Sequence, residues 1–262
     1  MTDLQAILAL PRAEREQVLR LLQEKQQRTR QRKLQHIYPE QDSVIDYGDG
    51  VTALYHSRHK YPRHMEFFEA GATYRERCGL AANRVGKTFG MGGYELACHL
   101  TGWYPDWWVG RRFDRPIRAW AAGKNGETTR DILQTVLMGE VVETTDRKRV
   151  KGDGIILGDS IVQDSMTWKS GTPNLIDKVK IRHAAGGKSV LGFKSFKQGR
   201  GAFEGTEQEV IWLDEECPED VYGECIIRTA TTNGIVMLTF TPLEGLTPVV
   251  LKFLPHMDLE TK

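Results

Sequence analysis

Apolar residues are spaced in two different ways along this chain of 262 residues, and the change comes near residue 61. Before it, Thr2 or Asp3 caps a short predicted helix ending near Leu10, and Pro11 suits the first turn of the next. Val18, Leu19, Leu21 and Leu22 then form an apolar stripe that gives way to a polar, basic tail ending near Gln35. Residues 38–60 hold Pro39, Gly48 and Gly50 among mixed polar residues, which reads as loop or linker. From residue 61 short apolar runs alternate with helical stretches. "RCGLAAN" reads as a strand leading into a glycine loop, and Thr88 to Leu100 as the helix behind it. Ile117–Gly123 is the next strand, and "ETTRDILQTVLMG" a helix with Thr128 or Thr129 near its start. Three more strands follow at Ser189–Phe196, Glu209–Glu216 and Gly234–Pro242, whereas 140–175 carries no clear pattern. Such alternation predicts an α/β fold, a mostly parallel central sheet flanked by helices. The expected division is a helical appendage over 1–37, a linker over 38–60 and one α/β domain over 61–262.

Composition narrows this little. Apolar content of 40% and charged content of 27% suit an ordinary globular protein. No apolar run reaches the length of a membrane span, and no signal pattern opens the chain. Cys78, Cys98, Cys217 and Cys225 are scattered without a CxxC pair, which speaks against zinc and a disulfide framework and for a reducing cytoplasm. A net charge of +1 announces no nucleic-acid binder, but two basic groups stand out. One is "KQQRTRQRK", with Lys25, Arg28, Arg30, Arg32 and Lys33. The other is Arg111, Arg112, Arg115 and Arg118 after the aromatics Trp103, Tyr104, Trp107 and Trp108. Basic side chains beside aromatics can hold a phosphate backbone, and equally can form a solvated helix face or a packed core edge.

Chemistry concentrates in three places. In "LAANRVGKTFG" the Gly86-Lys87-Thr88 core ends like a phosphate-binding loop, although Ala81 stands where the pattern has glycine. Backbone N–H groups of such a loop and the positive end of the next helix surround phosphate oxygens. Lys87 would reach the β- and γ-phosphates, and the Thr88 hydroxyl would meet Mg²⁺. Arg84 adds a fixed positive charge. In "VIWLDEE" four apolar residues run into Asp214, Glu215 and Glu216. Asp214 suits a metal-associated acid and Glu215 a base for the attacking water, and the acid doublet favours hydrolysis over simple phosphate transfer. In "TFTPLEG", Thr239 and Thr241 at a strand end could report whether the γ-phosphate is present, or simply cap the strand.

Together these segments resemble the N-terminal ATPase domain of the large terminase subunit of tailed bacteriophages, the motor that packages DNA into a prohead. The likeness runs from about Tyr61 to Pro255 and includes "NRVGKT", "HLTGWYPDWWVGRRFDRPIRAWAAG", "ETTRDILQ", "FKSFKQGRGAFEGTEQEVIWLDEE" and "RTATTNGIVMLTFTPLEGLT". That family tolerates a non-glycine at the start of the loop and often carries an arginine within it. The resemblance implies a P-loop NTPase of the additional-strand RecA-like type, with ATP and Mg²⁺ as cofactors. Ala81, Ala82, Asn83, Arg84, Val85, Gly86, Lys87 and Thr88 would then form the phosphate loop. Thr88 and Asp214 would hold Mg²⁺, Glu215 would be the catalytic base, and Thr239 and Thr241 the coupling motif. In "KYPRHMEFFEAG", His64 stands where the family commonly has the adenine-reading glutamine, with Tyr61 or Phe68 free to stack on the base.

The implied partners are double-stranded DNA, a portal protein, a small terminase subunit and copies of the same chain in a ring on the prohead, with no membrane. When isolated the domain can be a monomer, and the expected setting is the host cell cytoplasm. A neighbour in the ring would supply an arginine, for which Arg200 in "QGRGAFEG" is the candidate. Large terminases usually also carry a C-terminal nuclease domain. The sequence stops at Lys262, so no DNA cleavage is expected of it. Two further readings compete: a helicase-like remodelling ATPase, and a non-hydrolysing nucleotide-dependent module that binds a portal or small terminase.

Overall fold

The computed structural model describes residues 10–31, 33–47, 52–145 and 147–254. The first predicted helix, with Thr2 and Asp3, lies outside them, as do Gly48 and Gly50. The chain separates into two compact units, Met1–Lys60 and Tyr61–Lys262.

In the first unit Pro11 directly precedes the helix Arg12–Gln31, in keeping with its fixed φ and missing N–H. Leu19, Leu21 and Leu22 of the apolar stripe are exposed. The side chains of 23–32 lie outside the described residues, so most of the first basic group does too. The segment read as linker instead carries an antiparallel pair, β1 (Ser43–Asp46) and β2 (Thr52–Tyr55), with Val44 opposite Leu54. Four-residue strands with only half-buried alternate positions leave too short a pattern to read from sequence.

The second unit is an α/β domain built on a seven-stranded sheet. Its strands are β3 (Glu76–Leu80), β4 (Arg118–Gly123), β7 (Ile161–Trp168), β8 (Ile176–Arg182), β9 (Lys188–Ser195), β10 (Val210–Asp214) and β11 (Ile235–Phe240). Their spatial order is β3-β11-β10-β4-β9-β8-β7. The first five are parallel; β8 and β7 are antiparallel additions. A small hairpin, β5 (Val141–Glu143) and β6 (Lys148–Val150), stands apart. The patternless stretch 140–175 therefore holds three strands that the sequence reading missed.

β10 and β11 are buried at every position, as expected of parallel strands covered on both faces. One face packs Trp120, Ile211, Leu213, Val236 and Leu238 against Phe203 and the helix Glu219–Ala230. The other supports a helix that is π-wound over Lys87–Gly93 and α-helical over Tyr94–Thr101. The predicted helix after β4 begins at Gly126 and is capped by Asn125, whose side chain accepts from the N–H of Thr128.

The aromatic and basic group at 103–118 is mainly a packed core edge. Trp108 lies 5.0 Å from Phe68 and gives its indole N–H to the Arg111 carbonyl. Arg111 lies over Phe113 and Arg112 over Tyr104, so both guanidinium groups cover rings of their own chain. Arg115 is engaged by Glu209, while Trp103 and Arg118 are exposed.

Candidate nucleotide site

The phosphate loop, Asp214, Glu215, Thr239 and Thr241 meet at the carboxyl ends of β3, β10 and β11. After Leu80 the chain leaves the sheet through Ala81–Gly86. Two residues there have left-handed backbone, Arg84 at φ 64° and Gly86 at φ 83°. Gly86 reaches that conformation without strain, whereas Arg84 does so against its Cβ. The helix that follows starts with a π-wound turn, a local widening that often accompanies functional sites. It can lie close to β10 because residue 92 is glycine: a Cβ there would sit 2.0 Å from the indole nitrogen of Trp212.

Lys87 is buried, and its ammonium donates to the carbonyls of Ala81 (2.9 Å) and Ala82 (2.6 Å) and to Thr241 Oγ1 (2.9 Å). Burial lowers its pKa, opposed by the charges of Glu215 and Asp214. Thr241 in turn has the Ala81 carbonyl at 2.7 Å and Asn83 Oδ1 at 2.9 Å as acceptors. The end of β11 is thus joined to both sides of the loop.

A second chain of hydrogen bonds runs beneath the first. Thr88 Oγ1 is 3.1 and 3.0 Å from the two oxygens of Asp214. Thr239 Oγ1 donates to Asp214 Oδ1 at 2.7 Å, and Trp212 Nε1 donates to Thr239 Oγ1 at 2.7 Å. The order of donors is forced. Indole N–H can only donate, so Thr239 accepts from it and turns its single proton to the carboxylate. Burial pushes the Asp214 carboxyl up to about 6, against the two hydroxyl hydrogen bonds that favour its charged form. Sequence reading took Trp212 for one more apolar residue of the strand. A buried tryptophan among aliphatic residues needs a partner for its N–H, and that was the available signal.

Glu215 follows directly but lives in a different setting. It is exposed, its φ is 84°, and its N–H donates to the carbonyl of Thr239 at 3.0 Å. Glutamate rarely adopts this backbone conformation, and residues held there cluster at functional sites.

His64 is also brought to the loop. It sits in the helix Pro62–Ala70, stacks on Tyr61 at 5.3 Å and lies with Nε2 3.2 Å from the carbonyl of Val85. The carbonyl can only accept, so Nε2 carries the proton; burial lowers the ring's pKa and favours the neutral form. Beside it opens a cavity of about 550 Å³ lined by His64, Phe67, Tyr74, Ala81 and Val85 among others. Phe68, the alternative stacking residue, is instead fully buried among Tyr94, Trp107 and Trp108 and lines no part of this cavity. Arg200 is not assembled with the loop; it is held by Glu224 of the helix Glu219–Ala230 at 3.1 Å.

Comparison with known proteins supplies the family. A curated relative, the terminase large subunit of Salmonella phage P22, is 35% identical over 230 residues, 80% of this chain. The chain spans 44% of that relative's length. A mutant large terminase ATPase domain of Thermus phage P74-26 is similar at 16% identity, covering 70% of this chain and 69% of that one, with a TM-score of 0.36. A large terminase of a thermophilic bacteriophage in complex with ADP is similar at 13% identity, covering 69% and 38%, with a TM-score of 0.41. The profile described as "Terminase large subunit, T4likevirus-type, N-terminal" matches residues 78–258, from β3 past the threonine strand, and the chain therefore belongs to the terminase large subunit family.

Proposed function

We propose that the unit Tyr61–Lys262 is the ATP-hydrolysing motor domain of a viral large terminase, driving double-stranded DNA into a prohead. The observation that carries this reading is the joining of three separate segments by hydrogen bonds. Lys87 is bonded to Thr241, and Thr88 to Asp214, which is bonded to Thr239. The loop, the acid strand and the threonine strand thus share one network. β11 lies between the loop strand β3 and the acid strand β10, which supports the additional-strand RecA-like type.

ATP would be held by the loop Ala81–Thr88, with Lys87 and Arg84 supplying positive charge and the N–H groups of the helix start facing the phosphates. His64, Tyr61 and the cavity beside them suit the base, with His64 in the neutral form. The Thr88 hydroxyl and the buried Asp214 carboxylate form a hard-oxygen pair 3.0 Å apart, a donor set that fits Mg²⁺. When bound, the metal would offset phosphate charge. Glu215, exposed beside Asp214, would orient and deprotonate the attacking water. Thr241 shares Lys87 with the loop, so any contact that Lys87 makes with a γ-phosphate competes with its bond to β11. That competition links the occupancy of the loop to the strand. For Arg200 to act on a neighbour's nucleotide, it has to exchange Glu224 for phosphate.

ATP hydrolysis by the purified chain, with and without duplex DNA, tests the reading. Native protein is expected to hydrolyse ATP faster with DNA. Lys87→Ala should abolish turnover, and Glu215→Gln should lower it about 10²- to 10⁴-fold while keeping nucleotide binding. Unchanged turnover in Glu215→Gln would remove the hydrolytic assignment.

A further inference from the structure

The sheet face presented by β8 and β9 has charge that the nucleotide site does not use. Residues 176–195 contain five cations, Lys178, Lys180, Arg182, Lys188 and Lys194, against the single acid Asp177. In the whole chain the two signs nearly balance, 36 against 35. Asp177 is itself taken by Lys169 at 2.8 Å.

Strand geometry sorts these side chains. Val179 and Ile181 of β8 are fully buried, and the alternate positions Lys178, Lys180 and Arg182 are exposed on the opposite face. The register sets Arg182 directly opposite the exposed Lys188, Lys180 opposite Val190, and Lys178 opposite Gly192. Like charges facing each other across an antiparallel pair destabilise it. Among the described residues no ion pair compensates: Arg182 reaches the backbone carbonyl of Asp159, at 2.8 Å, and Asp164 of β7 is engaged by Arg147. Lys178, Lys180 and Lys188 have no carboxylate partner among the described residues, where the paired lysines are Lys60, Lys124, Lys148, Lys151 and Lys169. Inward of the row, Lys194 is pushed down to about 8, chiefly by burial and further by Lys169 and Lys178.

We propose that this face is a docking strip for the phosphate backbone of duplex DNA, contacted by Lys178, Lys180, Arg182 and Lys188. The inference rests on the reading of the chain as a DNA-translocating motor and names the surface that carries the DNA. Its chemistry favours a nucleic acid over a protein partner. None of the exposed large apolar side chains falls between residues 161 and 195, so the strip lacks the apolar core of a protein interface. The three cations of β8 recur about every 6.7 Å and span about 13 Å, the axial rise of about four phosphates on one strand. Four flexible point or fork charges on one sheet face hold phosphates without reading base edges. A motor that must pass any sequence needs that indifference.

The test is fluorescence anisotropy of a labelled 30-base-pair duplex titrated with the chain over a range of KCl concentrations. Native protein is compared with the triple variant Lys178→Gln/Lys180→Gln/Lys188→Gln and a control triple, Arg147→Gln/Lys151→Gln/Lys252→Gln. Three lost phosphate contacts should flatten the slope of log K against log salt by about 2.7 and weaken binding about 100-fold near 0.1 M salt. Scrambling the duplex sequence should change nothing. Fluorescent ATP should bind the triple variant as it binds native protein, which separates a lost surface from a lost fold. Retention of the native slope by the strip variant overturns the proposed surface and leaves the motor reading standing. No binding of duplex by native protein at low salt removes both. Displacement of the duplex by polyglutamate at equal charge would show a site for acidic protein instead, and would also overturn the proposal.

Discussion

The two halves of the large sheet use their strands differently. β10 and β11 are hidden on both faces along their whole length, and Asp214, Thr239 and Thr241 gather at their carboxyl ends. β8 is hidden on one face only, and its reactive groups are spread along its length. A parallel strand packed between helices can offer chemistry at a point; an antiparallel strand with one wet face can offer it along a line. Point chemistry suits a nucleotide, and a line of charge suits a polymer.

Four substitutions would break or sharpen that contrast. The largest effect is expected at Gly92→Val, which forces a branched side chain against the Trp212 indole. It should cost about 3 kcal/mol or more by urea denaturation, and Trp212→Val in the same chain should recover part of the loss. A stability close to native in Gly92→Val would mean that the helix and β10 are not held as closely as described.

Next comes Asp214→Asn. The folded carboxyl titrates near 6 rather than at its ordinary 3.8, so the metal-free fold binds more protons than the unfolded chain between those values. Its contribution to stability therefore falls as pH rises from about 4 to about 6, by about 3 kcal/mol, and is constant above. Asp214→Asn should melt higher than native protein at pH 8 and equal to it near pH 4. A difference independent of pH would contradict this account.

Trp212→Phe keeps an aromatic ring but removes the N–H that orients Thr239. A loss of about 1–2 kcal/mol is expected. Because the freed hydroxyl no longer has to serve Asp214, the Mg²⁺-dependent part of nucleotide affinity should fall severalfold. Equal loss with and without Mg²⁺ would mark a packing role alone. The smallest effect belongs to the extension: Lys188→Glu puts a carboxylate opposite Arg182 and should stabilise the chain by about 0.5 kcal/mol in low salt, fading at high salt. Destabilisation there would show that the like charges are already balanced.

Legibility in the sequence followed the same division. Continuous apolar runs ending in acids or threonines made β10 and β11 readable, and the loop made β3 readable. β8 does alternate, as "DKVKIR", but the run is brief and its cations suggest a loop. β7 departs from regular pairing between Val162 and Thr167, which blurs its period. Charge was ambiguous in a related way. Arg111 and Arg112 sit beside aromatics in sequence because they pack on them, whereas the exposed cations of β8 are separated by buried residues and form a patch only once the strand is extended. Trp212 and the backbone of Glu215 depend on tertiary contacts that no spacing encodes.

The three hydrogen bonds of Lys87 have a kinetic meaning. Its ammonium is saturated by the Ala81 and Ala82 carbonyls and by Thr241, so any anion that reaches it displaces a ligand already present. These intramolecular partners would compete with any phosphate for the same three protons, and would lower the affinity for nucleotide and for products alike. On the proposed reading as an ATPase, which would have to discard ADP and phosphate on every cycle, Lys87 has resting partners ready to take it back.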